Sequence, residues 1–301
     1  MTAPSVAPDA PGLGLYARLL AVPAIWGGTF IAGRIVATAL PPATASVLRY
    51  LVASAALLAF VLIGRQRLPR LTLPQAGATL LLGATGVFAY NLFFMGALAE
   101  LTASRTSLII ALNPIVTISV AALVFGDRLT PRRWLGVFIA LFGVWIVVAR
   151  GEVLSSVTTA VGRGELLMFG GVCAWVTYTL LGRRVLTGLS AFAATTYAAL
   201  WGTLLLALGA VPELRRVELA ALDPAVIGSL VYLGVVGTAI AFVWYYEAVR
   251  VLGTSIPIMF TNLVPVFGAA FGVILLGEPL LGSMLLGGAI AITGVMMVTR
   301  N

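Results

Sequence analysis

Apolar runs of about twenty residues follow one another along nearly the whole chain, each long enough to cross the hydrocarbon core of a bilayer. With Pro, Gly and Arg clusters as boundaries, ten of them fall near 15–39, 42–63, 74–98, 103–124, 131–149, 165–186, 190–211, 225–249, 254–276 and 280–299. Continuous runs of this length predict helices, because the strands of a transmembrane barrel read as alternating segments of about ten residues. Composition agrees. With 61% hydrophobic and 9% charged residues, the surface is unsuited to water, since soluble domains carry about 25% charged residues. The fold class is therefore an all-α integral membrane protein of ten transmembrane helices.

Two stretches of the sequence say nearly the same thing. LNPIVTISVAALVFGDRLTPRRWLGVFIALFG (112–143) and LVPVFGAAFGVILLGEPLLGSMLLGGAIAITG (263–294) align without a gap and share L-x-P, G-[DE]-x-L, L-G and I-A-x-x-G. The offset that pairs Pro114 with Pro265 and Gly143 with Gly294 also pairs Gly83 with Gly234, Gly86 with Gly237 and Ala97 with Ala248. Nearer the start, Trp26 pairs with Trp175 and Gly33-Arg34 with Gly182-Arg183. The chain thus reads as a short tail (1–14), a first repeat of five helices (15–150) and a second (151–301). Five is odd, so the second repeat enters the membrane the other way up.

The arginines fit that inversion. The GDRLTPRR turn carries three arginines where its copy, GEPLLGSM, has none. RQRLPR (65–70) is strongly basic, whereas PELRRVELAALD (212–223) holds three acids against two arginines. If the N-terminus is cytoplasmic, eleven arginines fall on the inner side and five on the outer, the distribution expected of inside and outside loops. Both termini are therefore expected in the cytoplasm. The net charge of +8 reports this orientation, and no basic patch on a soluble domain suggests nucleic acid.

Several chemistries are excluded. The chain has no histidine, so imidazole catalysis and His-ligated metal sites are ruled out. It has no lysine, so a Walker P-loop cannot exist. Its single cysteine, Cys173, has no intramolecular disulfide partner. An enzyme would need a nucleophile with its base, paired carboxylates or a metal site, and the deep acids are too few. No catalytic residue, cofactor or metal is expected. The Pro/Ala-rich tail reads as disordered and lacks the basic region and cleavage site of a signal peptide.

Inverted repeats recur in secondary transporters, where two halves of one fold exchange conformations around a central site. The pattern L-x-P…G-[DE]-x-L…G…G, twice at this spacing, resembles the drug/metabolite transporter superfamily in its EamA-type branch, and within it the YddG-type amino-acid exporters. The likeness covers residues 15–300. It implies a basket of two five-helix halves around a cavity lined mainly by spans 1, 3, 4, 6, 8 and 9. It also implies small-metabolite cargo, amino acids (aromatic ones included) foremost, exported across a bacterial inner membrane; a monomer or a dimer is expected. Drugs, nucleosides and sugars are the alternative cargoes. A channel would need a continuous pore, usually ringed by charges or carbonyls.

For the site, six aromatics stand out: Trp26, Tyr90, Phe94, Trp175, Tyr178 and Tyr245. Trp175 and Tyr178 share a helix face, as do Tyr90 and Phe94, and the repeat sets Trp26 opposite Trp175 and Tyr245 opposite Phe94. Such rings more often pack against neighbours or the interfacial belts than wall a cavity for amphipathic solutes; the resemblance puts the two readings level for Tyr90 and Trp175. Asn113 and Asn262 offer buried amides that need partners. Pro114 and Pro265 read as hinges or fixed kinks within spans 4 and 9.

Among the charges, Arg49 has no repeat partner and either binds backbone carbonyls at a helix end or attracts a substrate carboxylate. Arg34 and Arg183 are expected to snorkel. Glu247 is expected to pair with Arg250 one turn on. Asp127 and Glu278 are expected to cap the next helix or hold the interface. The small residues of GAAFG (268–272) and GSMLLGG predict close helix packing.

Overall fold

The computed structural model describes residues 13–64, 67–125, 130–149, 161–185, 188–252 and 255–299. The described residues form ten helical spans and no strand. Span 1 is Leu13–Ala39, span 2 Pro42–Leu62 and span 3 Leu73–Glu100. Span 4 is made of two pieces, Ala103–Ile110 and Asn113–Phe125. Spans 5, 6 and 7 are Pro131–Val148, Arg163–Val185 and Ala191–Leu214. Span 8 joins Pro224–Val231, Tyr232–Ile240 and Ala241–Leu252. Span 9 is again two pieces, Ser255–Thr261 and Val264–Leu276, and span 10 is Gly282–Thr299. Residues 1–12 of the tail and Asp127 lie outside the described residues.

Local chemistry sets the starts of the helices. Thr72 and Gln75 form a reciprocal capping box at span 3. Thr102, Thr130 and Ser190 each accept from the amide three residues on, opening spans 4, 5 and 7. Asp223 caps span 8 through the amide two residues on, that of Ala225, at 2.7 Å. Span 9 ends at Gly277, whose φ of 63° is a left-handed stop that suits glycine.

The duplication is visible in the irregularities. Spans 3 and 8 each contain a wide π-helical stretch, Gly83–Ala89 and Tyr232–Ile240, around the glycines that the repeat pairs. Spans 4 and 9 each break just before their proline, at residues 111–112 and 262–263. The prolines therefore do not sit mid-helix, as their place in the apolar runs suggests. Pro114 and Pro265 are the second residues of Asn113–Phe125 and Val264–Leu276, where a missing amide hydrogen removes no helical bond. The chain crosses the break through short i to i−3 bonds, Leu112 N to Ile109 O and Leu263 N to Phe260 O, both 3.0 Å.

The second half is inverted. Tyr197, near the start of span 7, donates its hydroxyl to Pro69 O at 2.7 Å. The 67–70 connector thus lies at the starting end of span 7, while 212–223 lies at its other end. A helix of 24 residues separates them, about 36 Å at 1.5 Å per residue. We call the face at which span 1 begins the starting face, and its opposite the far face.

In lipid, apolar surface gives no net drive for helix association, so close packing and interhelical hydrogen bonds hold the halves together. The seam between spans 5 and 10 shows how. A β-carbon on Gly143 would collide with the amide nitrogen of Ala291, and one on Gly294 with that of Ala140. Ser54 and Thr203 share a 2.9 Å hydrogen bond between spans 2 and 7. Ser107 donates to Pro265 O at 3.3 Å between spans 4 and 9. Outward, Phe138 (64%), Ile274 (74%) and Leu285 (60%) are exposed, a surface fit for acyl chains.

Candidate functional site

Between the two halves lies a cavity of about 610 Å³. Its walls come from spans 1 to 4 and 6 to 10. Trp26, Arg49, Tyr90, Asn113, Pro114, Trp175, Tyr178, Tyr245, Asn262 and Pro265, all singled out in the sequence, border it. Phe94 does not. It is 2% exposed and stands behind Tyr90, stacked on it at 5.6 Å with planes 14° apart, and meets Phe30 edge-on at 5.5 Å.

The rings form two related groups. On one side Trp175 lies 5.3 Å from Tyr90 and 5.4 Å from Tyr178. On the other Trp26 lies 5.5 Å from both Tyr245 and Phe242. Spans 6 and 3 supply the first group and spans 1 and 8 the second, so the inverted repeat runs through the site. Trp26 is held by its indole N–H, which donates to Gly237 O at 3.0 Å. That carbonyl belongs to the π-helical stretch of span 8.

Two cavity rings carry hydroxyl groups that the sequence reading passed over. Tyr246 shares a 2.8 Å hydrogen bond with Thr195, and Tyr50 also lines the cavity. Tyr246 was legible in principle, lying four residues after Phe242, its ring neighbour at 5.8 Å.

Arg49 does not reach a helix-end carbonyl. Its Nη1 donates to Asn91 Oδ1 at 2.9 Å, and Asn91 in turn donates its amide to Val87 O at 2.7 Å. The two residues are far apart in sequence and no local pattern connects them. The guanidinium lies over the rings of Tyr50 and Phe94, 5.4 and 5.9 Å from their centroids.

Other charges also differ from expectation. Arg34 turns inward and donates to Leu98 O at the end of span 3, where the helix dipole is negative. Glu247 pairs across the bundle with Arg18 at 2.8 Å; the side chains of Arg183 and Arg250 lie outside the described residues. Glu278 takes the second of its two expected roles, holding an interface rather than capping the helix after it. It accepts from the backbone of Ala103 and Ser104 and from the Ser104 hydroxyl, and so joins span 9 to the start of span 4.

Of these contacts, the Arg18–Glu247 pair joins the halves at the starting face, whereas those of Arg34 and Glu278 lie at the far face. Glu213 accepts from Thr44 N at 2.8 Å. Arg105 and Glu165 form a buried pair at 2.7 Å, and Arg105 also donates to Val148 O. The cavity lining runs the other way, reaching the exposed Ala191 at the beginning of span 7 and Val249 near the end of span 8.

Residues 14–149 and 162–300 each match the EamA-like transporter family. The chain belongs to that family. It is a multi-pass membrane transporter and not an enzyme. Among curated relatives, a probable terminal-alkyne amino-acid exporter of Streptantibioticus cattleyicolor is 30% identical, the match covering 92% of this chain and 90% of that protein. A probable amino-acid metabolite efflux pump of Escherichia coli is 26% identical over 94% of this chain and 93% of that protein. One solved crystal structure aligns with a TM-score of 0.64 at 19% identity, covering 94% of this chain and 96% of that one, and so shares the fold.

Proposed function

We propose that the protein is a secondary transporter that exports small metabolites, amino acids foremost, by alternating access. The reading places it in a bacterial inner membrane with both termini in the cytoplasm, and its cargo site in the cavity between the halves. One observation carries it: the cavity is built by pseudo-equivalent residues of two inverted halves, with polar ties between them across the far face. Such halves interconvert by exchanging conformations, because what one adopts the other also fits. With the starting face as the cytoplasmic one, the structure corresponds to an inward-facing state. The breaks before Pro114 and Pro265 supply the hinges.

Support for amino-acid cargo comes from the two named relatives and from the lining. Aromatic walls with a few convergent polar groups suit a small amphipathic solute. The test is uptake of a labelled amino-acid panel into proteoliposomes without ATP. Saturable uptake, accelerated by unlabelled cargo on the opposite side, supports the carrier. Failure to move any member of the panel removes the amino-acid reading.

A further inference from the structure

Arg49 is the eighth residue of span 2, about 10 Å along the helix from the far end. It is 8% exposed and borders the cavity. A charge at that depth is expensive and is normally paired. Arg105, comparably buried, has the carboxylate of Glu165 against it. Arg49 has a neutral amide and two ring faces, and its Nε is buried with no hydrogen-bond partner. Among the described residues lining the cavity, it is the single charged side chain.

Among the described residues, the fold therefore keeps a guanidinium at the cavity with no anion against it. Asn91 does not neutralise it. Its amide is committed to Val87 O, which fixes the carboxamide oxygen toward Arg49 and so orients the guanidinium. On the same cavity wall system, Asn113 Oδ1 is also buried without a hydrogen-bond partner. A planar guanidinium matches a carboxylate, an unpaired amide oxygen accepts from an ammonium, and the rings of Trp175 and Tyr90 suit an apolar remainder. A solute bearing only positive charge would meet like charge with no carboxylate to receive it.

We propose that Arg49 is the carboxylate-binding group of the cavity, which makes the cargo a carboxylate-bearing solute of the α-amino-acid type and rejects amines that lack the carboxylate. The assignment rests on the export reading and sharpens it. Asn91 acts as the positioning residue.

The test begins with the unaltered protein in proteoliposomes. The amino acid moved fastest in the panel is compared with its carboxamide, its decarboxylated amine and its des-amino acid. At least tenfold preference for the acid over the carboxamide and the amine is expected. Weak transport of the des-amino acid is also expected, because it keeps the group that Arg49 holds. Arg49→Gln should raise the KM of the amino acid at least tenfold and erase its advantage over the carboxamide, while carboxamide transport changes little. Asn91→Asp keeps the guanidinium but gives it a carboxylate of its own, and should raise KM in the same direction in protein that stays monodisperse.

Equal transport of acid and carboxamide by the unaltered protein overturns the assignment and leaves the export reading standing. So does an Arg49→Gln variant that slows both alike, the mark of a purely structural role. A panel in which nothing moves removes the export reading and this inference together.

Discussion

Glu278, just past the end of span 9, holds Ala103 at the start of span 4: its Oε1 accepts the Ala103 amide at 2.7 Å, and its Oε2 that of Ser104 at 2.9 Å. A carboxylate on the free amides of a helix N-terminus satisfies donors that no helix can satisfy itself, and it meets the positive end of the dipole. The two helices belong to opposite halves. On the proposed alternating-access reading, this clasp must let go for the cavity to open toward the far face.

Glu278→Ala should therefore favour the far-open state. A cap of this kind contributes about 1–2 kcal/mol, which corresponds to a roughly five- to thirtyfold shift in population. The shift is readable with a cysteine at Ile110, which lines the cavity, in a Cys173→Ser background. An impermeant maleimide applied from the far face should label the Glu278→Ala protein several-fold faster. Unchanged labelling would mean the contact is static.

The seam between spans 5 and 10 makes a different demand, for backbone contact. Gly143→Leu must push the span away from Ala291, and overpacking of this kind costs about 1–3 kcal/mol. A clearly lowered melting temperature is expected. Gly77, inside span 3, has nothing within 4 Å of where a β-carbon would stand. Gly77→Ala should leave stability unchanged or raise it by about 0.5–1 kcal/mol. Equal melting temperatures for the two variants would contradict the close seam.

The membrane spans, the inverted halves and the aromatic set were legible because each leaves a periodic or repeated mark: apolar run length, residue offset, arginines present in one copy and lost in the other. What the sequence hid was pairing. Glu247 looks toward Arg250 on its own helix, yet its ion-pair partner in the structure, Arg18, lies on another span. Arg49 and Asn91 meet only because spans 2 and 3 do, and Arg105 and Glu165 because spans 4 and 6 do. Spacing along one helix cannot report such contacts. Phe94 shows the same limit within a helix: sharing a face with Tyr90 placed it toward the cavity, but Tyr90 itself stands in front.

That distinction predicts a split between neighbours. Trp175→Ala and Tyr90→Ala remove cavity wall and should lower transport about tenfold or more, with expression intact. Phe94→Ala empties a site that is 2% exposed and should cost about 3–5 kcal/mol of stability. Its signature is a loss of folded protein, with transport per folded molecule less affected than in the other two. Thermal melts beside transport rates decide the matter, and normal transport by both Trp175→Ala and Tyr90→Ala would return those rings to packing.

Orientation decides which state this structure represents: with the starting face cytoplasmic, the cavity opens inward. The connector at 67–70 and the one at 212–223 stand at opposite ends of span 7. Single cysteines at Arg70 and Arg215, again in the Cys173→Ser background, should react from opposite sides of the membrane. Arg70→Cys should be protected in intact cells from an impermeant reagent and exposed in inverted vesicles, with the reverse for Arg215→Cys. The opposite result for both would keep the two inverted halves but turn the molecule over, so that the cavity seen here would open outward. Labelling of both from one side would contradict the inversion itself, and with it the basis for alternating access.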